Sequence, residues 1–220
     1  AAAGGAAAAP AGGAVHALWK PFVEAFTVVL MSEFGDKSMF ATGLLAVKHN
    51  PWIVTLGALT ALTLMTVIAC FLGKLMGFLP QIVTHYFSIV LFALFGFQMI
   101  REGLKKDDAH NERDEAEEMT KTLDGTDESP LNVFIKVTSL IAVAEWCDKS
   151  MLATMALAAS TNAYAVVLGA TGANVLCTLV SVGGAAMLAS KLSEKTVSLV
   201  AGITFEFFAI KTLIDGPEED

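Results

Sequence analysis

The chain has 220 residues, 55% of them hydrophobic and only 16% charged, with a mean hydropathy of +0.61 and a net charge of −8. This composition excludes a soluble globular domain. The lack of any basic patch excludes a nucleic-acid binder.

In chain order, the first segment (1–20) begins AAAGGAAAAPAGGA, a low-complexity stretch that cannot build a core. It is expected to be what a removed targeting segment leaves behind, an artificial edge being the alternative. Six apolar runs follow, at 21–47, 52–77, 84–100, 132–158, 164–189 and 197–214. A helix needs roughly 20 apolar residues to cross a hydrocarbon layer of ~30 Å. The third and sixth runs are short but adequate, and the longer ones can tilt. The alternation of polar and apolar residues that a β-barrel requires is absent. The expected fold is therefore an all-α polytopic membrane protein with six transmembrane helices.

The negative charge is local. Between Glu102 and Glu128 stand eleven acids and four bases, which leaves the rest of the chain at −1. Residues 104–130 are expected to form a solvated linker, partly disordered or a short charged helix, rather than a metal collector. Residues 217–220 make a short acidic tail. Cys70, Cys147 and Cys177 lie in apolar runs; their odd number excludes a disulfide framework, and small buried residues are the expectation.

The two sides of the linker are related. Glu33-Phe34-Gly35-Asp36-Lys37-Ser38 returns 112 positions later as Glu145-Trp146-Cys147-Asp148-Lys149-Ser150. Asn50 answers Asn162, Gly57-Ala58 answers Gly169-Ala170 and Ala61 answers Ala173 at the same offset; Phe92 to Gly103 answers Phe205 to Gly216 after a one-residue slip. The halves are 21–103 and 131–216. Three spans per half bring the second half in from the opposite side, as an inverted repeat. Lys48, Arg101, Lys105, Lys106, Lys136, Lys191 and Lys195 fall on one side, against Lys20, Lys74 and Lys211 on the other. The positive-inside rule then places the acidic linker on the cytosol or stroma side.

Carboxylates within hydrocarbon-length segments are costly and mark function. At ~1.5 Å per residue, Glu33 and Glu145 lie about 18–20 Å along their runs, near mid-membrane. On continuous helices each Glu shares a face with the Asp three residues on. Inverted symmetry would then gather Glu33, Asp36, Glu145 and Asp148 into one site. Four bare negative charges cannot persist there, so either a cation is bound or several groups carry protons. Alternation between those conditions is proton-coupled exchange. Oxygen-only ligands favour Ca²⁺, Mn²⁺ or Mg²⁺ over Zn²⁺ or Cu.

Ser38 and Ser150 add hydroxyls, or bond to backbone carbonyls one turn back. Gly35 permits close helix approach or a local unwinding that frees carbonyls. Lys37 and Lys149 are expected to pair with and orient the acids, the alternative being to snorkel toward water. Glu206, in Phe205-Glu206-Phe207-Phe208 where the other half has Ala93, is a candidate proton relay, with a lysine partner or helix-end exposure as alternatives. Asn174 is a pathway candidate; it and Gln98 offer interhelical hydrogen bonds. The spacing of Gly57 and Ala61, and of Gly169 and Ala173, suggests close packing. A purely structural salt-bridge network would explain one motif; two at equal depth argue against it.

The motifs E-x-G-D-K-S and E-W-x-D-K-S, on the first and fourth of six helices, carry a resemblance to the membrane family once called uncharacterised protein family 0016. It includes Golgi manganese/calcium transporters and plastid manganese transporters of algae and plants. The likeness covers nearly all of 21–214. It implies exchange of Mn²⁺ and Ca²⁺ for protons, with Glu33, Asp36, Glu145 and Asp148 as ligands and no permanent cofactor. Cys147 departs from the family pattern, which has Gly there: its thiol would tune metal preference toward softer ions, or simply fill the glycine space. Met151-Leu152-Ala153-Thr154 and Ser193-Glu194-Lys195 resemble plastid members; the short connection before Tyr86 and Arg101-Glu102-Gly103 resemble the Golgi branch. The Ala/Gly-rich start favours a chloroplast membrane, thylakoid or envelope. Expected partners are the lipid bilayer and divalent metal ions, with a homo-oligomer or a larger membrane complex also open. A non-transporting accessory subunit and a passive cation channel are the competing functions; an enzyme is not expected.

Overall fold

A computed structural model of the chain describes residues 11–76, 78–104, 111–121, 129–185 and 194–217. All regular structure among these residues is helical: α1 (Ala11–Glu33), α2 (Lys37–Lys48), α3 (Pro51–Met76), α4 (Gln81–Leu104), α5 (Asn111–Lys121), α6 (Pro130–Ala144), α7 (Lys149–Ser160), α8 (Ala163–Val180) with a π-helical turn at Ser181–Ala185, and α9 (Glu194–Asp215). By length and composition, α3, α4, α8 with its π-helical turn, and α9 can each cross a membrane; α6 and α7, bent by 71° at their junction, make a fifth span if taken as one. Their outward surfaces suit lipid: Leu56 and Phe71 on α3, Leu94 and Phe97 on α4, and Ile203 and Phe207 on α9 are all exposed.

One expectation is corrected: the first and fourth apolar runs are not continuous helices, because each breaks inside its motif. Helix α1 begins within the low-complexity segment, at Ala11, and residues 1–10 lie outside the described residues. Within the acidic linker, α5 is the short charged helix allowed for. It lies against α2, with Ala116 and Thr120 buried. Lys105, Lys106, Lys191 and the last three residues of the tail lie outside the described residues.

Helix starts follow from local chemistry. Asn50 Oδ1 accepts the Trp52 N–H at 3.0 Å, and Asn162 Oδ1 accepts those of Tyr164 and Ala165 at 3.1 and 3.2 Å. The matched asparagines are thus duplicated caps, satisfying amides that a helix start leaves unpaired. Ser129 caps α6 ahead of Pro130.

The halves interleave. α1 packs on α8, while α3 packs on α6 and α7; α4 and α9 form the closest pair. Phe92 sits edge-on to Phe205 at 5.9 Å in the larger apolar cluster. The glycines sit where backbones meet. A Cβ on Gly169 would lie 2.3 Å from the Phe22 carbonyl oxygen, and one on Gly57 would lie 3.3 Å from that of Phe134. Phe22 and Phe134 are themselves 112 positions apart, so each half's glycine meets the same place on the other half.

Candidate functional site in two broken helices

Each motif ends one helix and starts the next. Glu33 is the last residue of α1, and Glu145 is the C-cap of α6. Asp36 and Asp148 are the N-caps of α2 and α7, with φ/ψ of −75/159 and −73/167. The breaks match bond for bond. The Asp36 N–H bonds to the Glu33 carbonyl at 3.2 Å, and that of Asp148 to the Glu145 carbonyl at 3.1 Å. Ser38 N–H donates to Asp36 Oδ2 at 3.3 Å, and Ser150 N–H to Asp148 Oδ2 at 3.4 Å. Ser38 Oγ donates to Glu33 Oε2 at 3.4 Å, and Ser150 Oγ to Glu145 Oε2 at 3.3 Å. The expected shared face of Glu and Asp on one continuous helix is therefore corrected: a turn separates them, because the Asp carboxylate satisfies the amides opening a new helix.

The turn demands an unusual backbone. Gly35 has φ +83, the left-handed region that glycine enters freely. Cys147 occupies the same position with φ 61, the one non-glycine residue with positive φ among those described. Its side chain is exposed and does not line the cavity between the glutamates. Gly35 thus serves the unwinding, and Cys147 stands in a glycine's place. A left-handed side-chain-bearing residue costs about 1–2 kcal/mol. Cys147→Gly is expected to raise stability by about 1 kcal/mol, part of the gain being offset by a freer unfolded chain. Thermal unfolding in detergent checks this; a lower melting temperature would mean that the thiol makes contacts worth more than the strain.

Glu33, Asp36 and Glu145 are buried, at 4%, 6% and 2% exposure, and Asp148 is half-buried. All four lie within electrostatic reach: Glu33 feels Glu145 most strongly among the acids, and Asp36 feels Asp148. Glu33, Glu145, Ser150, Thr66, Thr154 and Asn174 line a cavity of about 10 Å³, room for one water or a bare ion. Ser150 also lies close enough to act on Glu33, and Ser38 on Glu145, so each hydroxyl stands between the glutamates of the two halves. Asp36 and Asp148 do not line this cavity. Among the described residues, no three of the Asp, Glu, His and Cys side chains are grouped closely enough to chelate one metal ion. The arrangement is thus a glutamate pair in the cavity with an aspartate pair beside it.

Lys149 reaches Asp36, the acid of the other motif, at 3.8 Å. Lys37 is half-buried and acts on Asp36 more weakly than Lys149 does. Glu206 packs against Gly96 of α4, away from the cavity. Gln98 bonds Glu102 at the surface. Asn174, buried in α8, donates to Thr66 Oγ1 across the halves at 3.2 Å. A larger recess of about 390 Å³ lies near the ends of α7 and α9, where Lys20 pairs with Asp215, and Lys211 with Glu24. Those pairs compensate one another, which suits a vestibule better than an ion site.

The cavity is lined by Glu33 and Glu145 at the C-terminal ends of α1 and α6, where the helix dipole favours cations, and by Ser150 and Met151 in the first turn of α7. Sequence reasoning missed the Glu–Asp division. The signal was present in the D-x-S pattern, since Asp is a preferred N-cap.

Buried acids at two helix breaks, in an apolar and lipid-suited bundle, mark a membrane protein. The family model described as divalent cation/proton antiporter GDT1 matches residues 21–107 and 133–220, and the chain belongs to that family. It is similar to GDT1-like protein 2, chloroplastic, of Oryza sativa subsp. japonica, at 38% identity over 87% of this chain and 60% of that protein. GDT1-like protein 5 of the same plant is 34% identical over 90% of this chain and 95% of its own length. Protein PAM71-homolog, chloroplastic, of Arabidopsis thaliana is 36% identical over 87% of this chain and 58% of its own. The chain thus spans about 60% of two of these relatives. No solved structure matches it.

Proposed function

We propose that this chain is a secondary transporter exchanging a divalent cation, Mn²⁺ and/or Ca²⁺, for protons across an organelle membrane. Glu33, Asp36, Glu145 and Asp148 carry the two ions in turn. The observation that carries this reading is the duplicated break, which turns Glu33 and Glu145 into one buried cavity with matching serine contacts. Buried carboxylates need a cation or a proton to persist, and membership of an antiporter family supports the same exchange.

In this reading α1–α2 is a broken span equivalent to α6–α7, giving six spans in two inverted repeats. Lys149 and Lys37 hold the aspartates while the metal is away. The chloroplastic names of two relatives favour a plastid membrane, with the linker on the stromal side.

Purified protein in liposomes should take up Mn²⁺ or Ca²⁺ when a pH gradient is imposed, moving protons the other way in a fixed ratio. Protons and metal compete for the same oxygens, so lowering the pH on the loading side should raise the half-saturating metal concentration. Flux that ignores the gradient would indicate a channel, and no flux an accessory subunit.

A further inference from the structure

Three polar side chains line the cavity from outside the motifs, Thr66, Thr154 and Asn174, and the amide is the one left with an unpaired atom. Asn174 is 3% exposed and lines the space between Glu33 and Glu145. The orientation of its amide is fixed by Thr66. Thr66 Oγ1 donates its one proton to the Leu62 carbonyl at 2.8 Å, so toward Asn174 it can only accept, and it accepts Nδ2–H. The nitrogen therefore faces Thr66 and the carbonyl oxygen faces away. That oxygen, Asn174 Oδ1, is fully buried and has no hydrogen-bond partner.

A buried acceptor left unpaired costs about 1–3 kcal/mol, and such groups call for an explanation. The carboxylates alone do not supply one. Only two of them line the cavity, whereas hard cations take six or more oxygens and accept neutral carbonyls readily. The repeat sharpens the point. Leu62, 112 positions earlier, also lines the cavity and brings no polar atom.

We infer that Asn174 Oδ1 is a neutral oxygen ligand to the divalent cation, held in place by Thr66. With Leu62 at the matching position of the other half, this oxygen has no repeat mate. This rests on the exchanger reading and adds to it a determinant of affinity and metal choice outside both motifs.

The test uses the full chain, with Mn²⁺, Ca²⁺ and Mg²⁺ chlorides as probes, read by metal-induced thermal shift in detergent and by uptake into liposomes. Asn174→Leu is expected to raise the half-saturating metal concentration about tenfold. Ca²⁺ should suffer more than Mn²⁺, because the larger ion gathers more oxygens. Thr66→Val keeps the amide oxygen but removes the bond that orients it, so saturation should shift less than in Asn174→Leu, by about threefold. Equal losses in the two variants, with the metal ratios unchanged, would mean that Asn174 acts only through its bond to Thr66 and would overturn the inference. Should Asn174→Leu fail to insert, Asn174→Asp decides. An added charge on a ligand tightens metal binding, and unaltered saturation overturns the assignment. Wild-type protein with neither a metal-induced shift nor flux removes the exchanger reading itself, and this inference with it. Wild-type saturation that Asn174→Leu leaves untouched removes the inference alone.

Discussion

Glu145→Gln is expected to cut metal-driven proton exchange by at least about a hundredfold, while the protein still inserts and folds. Glu145 is 2% exposed, lines the cavity with Glu33, and accepts Ser150 Oγ at 3.3 Å. Glutamine preserves volume and can still accept that hydroxyl, so packing should survive. What it loses is the charge. Charge-assisted contacts are worth about 1.5–3 kcal/mol each, and a metal ligand makes more than one such contribution, so two decades or more follow. The amide also cannot carry the proton back. Asp36→Asn should act in the same direction but less severely. Its amide oxygen can still cap α2, but the pair with Lys149 is lost. Liposome uptake with a pH-reporting dye checks both variants; near-normal uptake by Glu145→Gln would remove the glutamate pair from the mechanism.

The second large effect is structural. Gly169→Val should destabilise the protein by about 3 kcal/mol or more, the upper range for overpacking. The first added carbon would sit 2.3 Å from the Phe22 carbonyl oxygen, with Phe26 N at 3.1 Å. Both are backbone atoms, so no side chain can swing aside, and α1 must back away from α8. Because α1 ends at Glu33, the cavity should open with it, and exchange should fall alongside stability. Gly183, with nothing within 4 Å, is the control; Gly183→Ala should change little. A Gly169→Val protein that melts within a degree or two of wild type would mean that the α1–α8 contact is looser than described.

Much of this was legible in the residues. The repeat, its offset and the buried acids stand in the sequence because duplication preserves chemistry at fixed spacing. All-helical construction followed from long apolar runs. The breaks were harder to see. In Glu33-Phe34-Gly35-Asp36 only one glycine interrupts an otherwise helical pattern, and in the second copy even that is replaced by Cys147. Hydropathy does not register a 71° bend between two apolar helices. The capping preference of Asp was the readable clue, but it competed with the equally valid rule that i and i+3 share a face on a continuous helix. Asn174 was singled out only as a neutral polar residue in a span. Its bond to Thr66 joins positions 108 apart, and periodicity within one helix cannot reveal a partner on another.

The clasp of α1 on α8 and of α3 on α6 and α7 bears on biogenesis. When the first three apolar stretches leave the insertion machinery, the later helices that α1 and α3 pack against are not yet synthesised. The early helices therefore wait in lipid for the later ones, and assembly closes only when the last third of the chain arrives. Two separately expressed halves should each be unstable alone and recover by annealing with one another, as two pieces of a single knot-free weave.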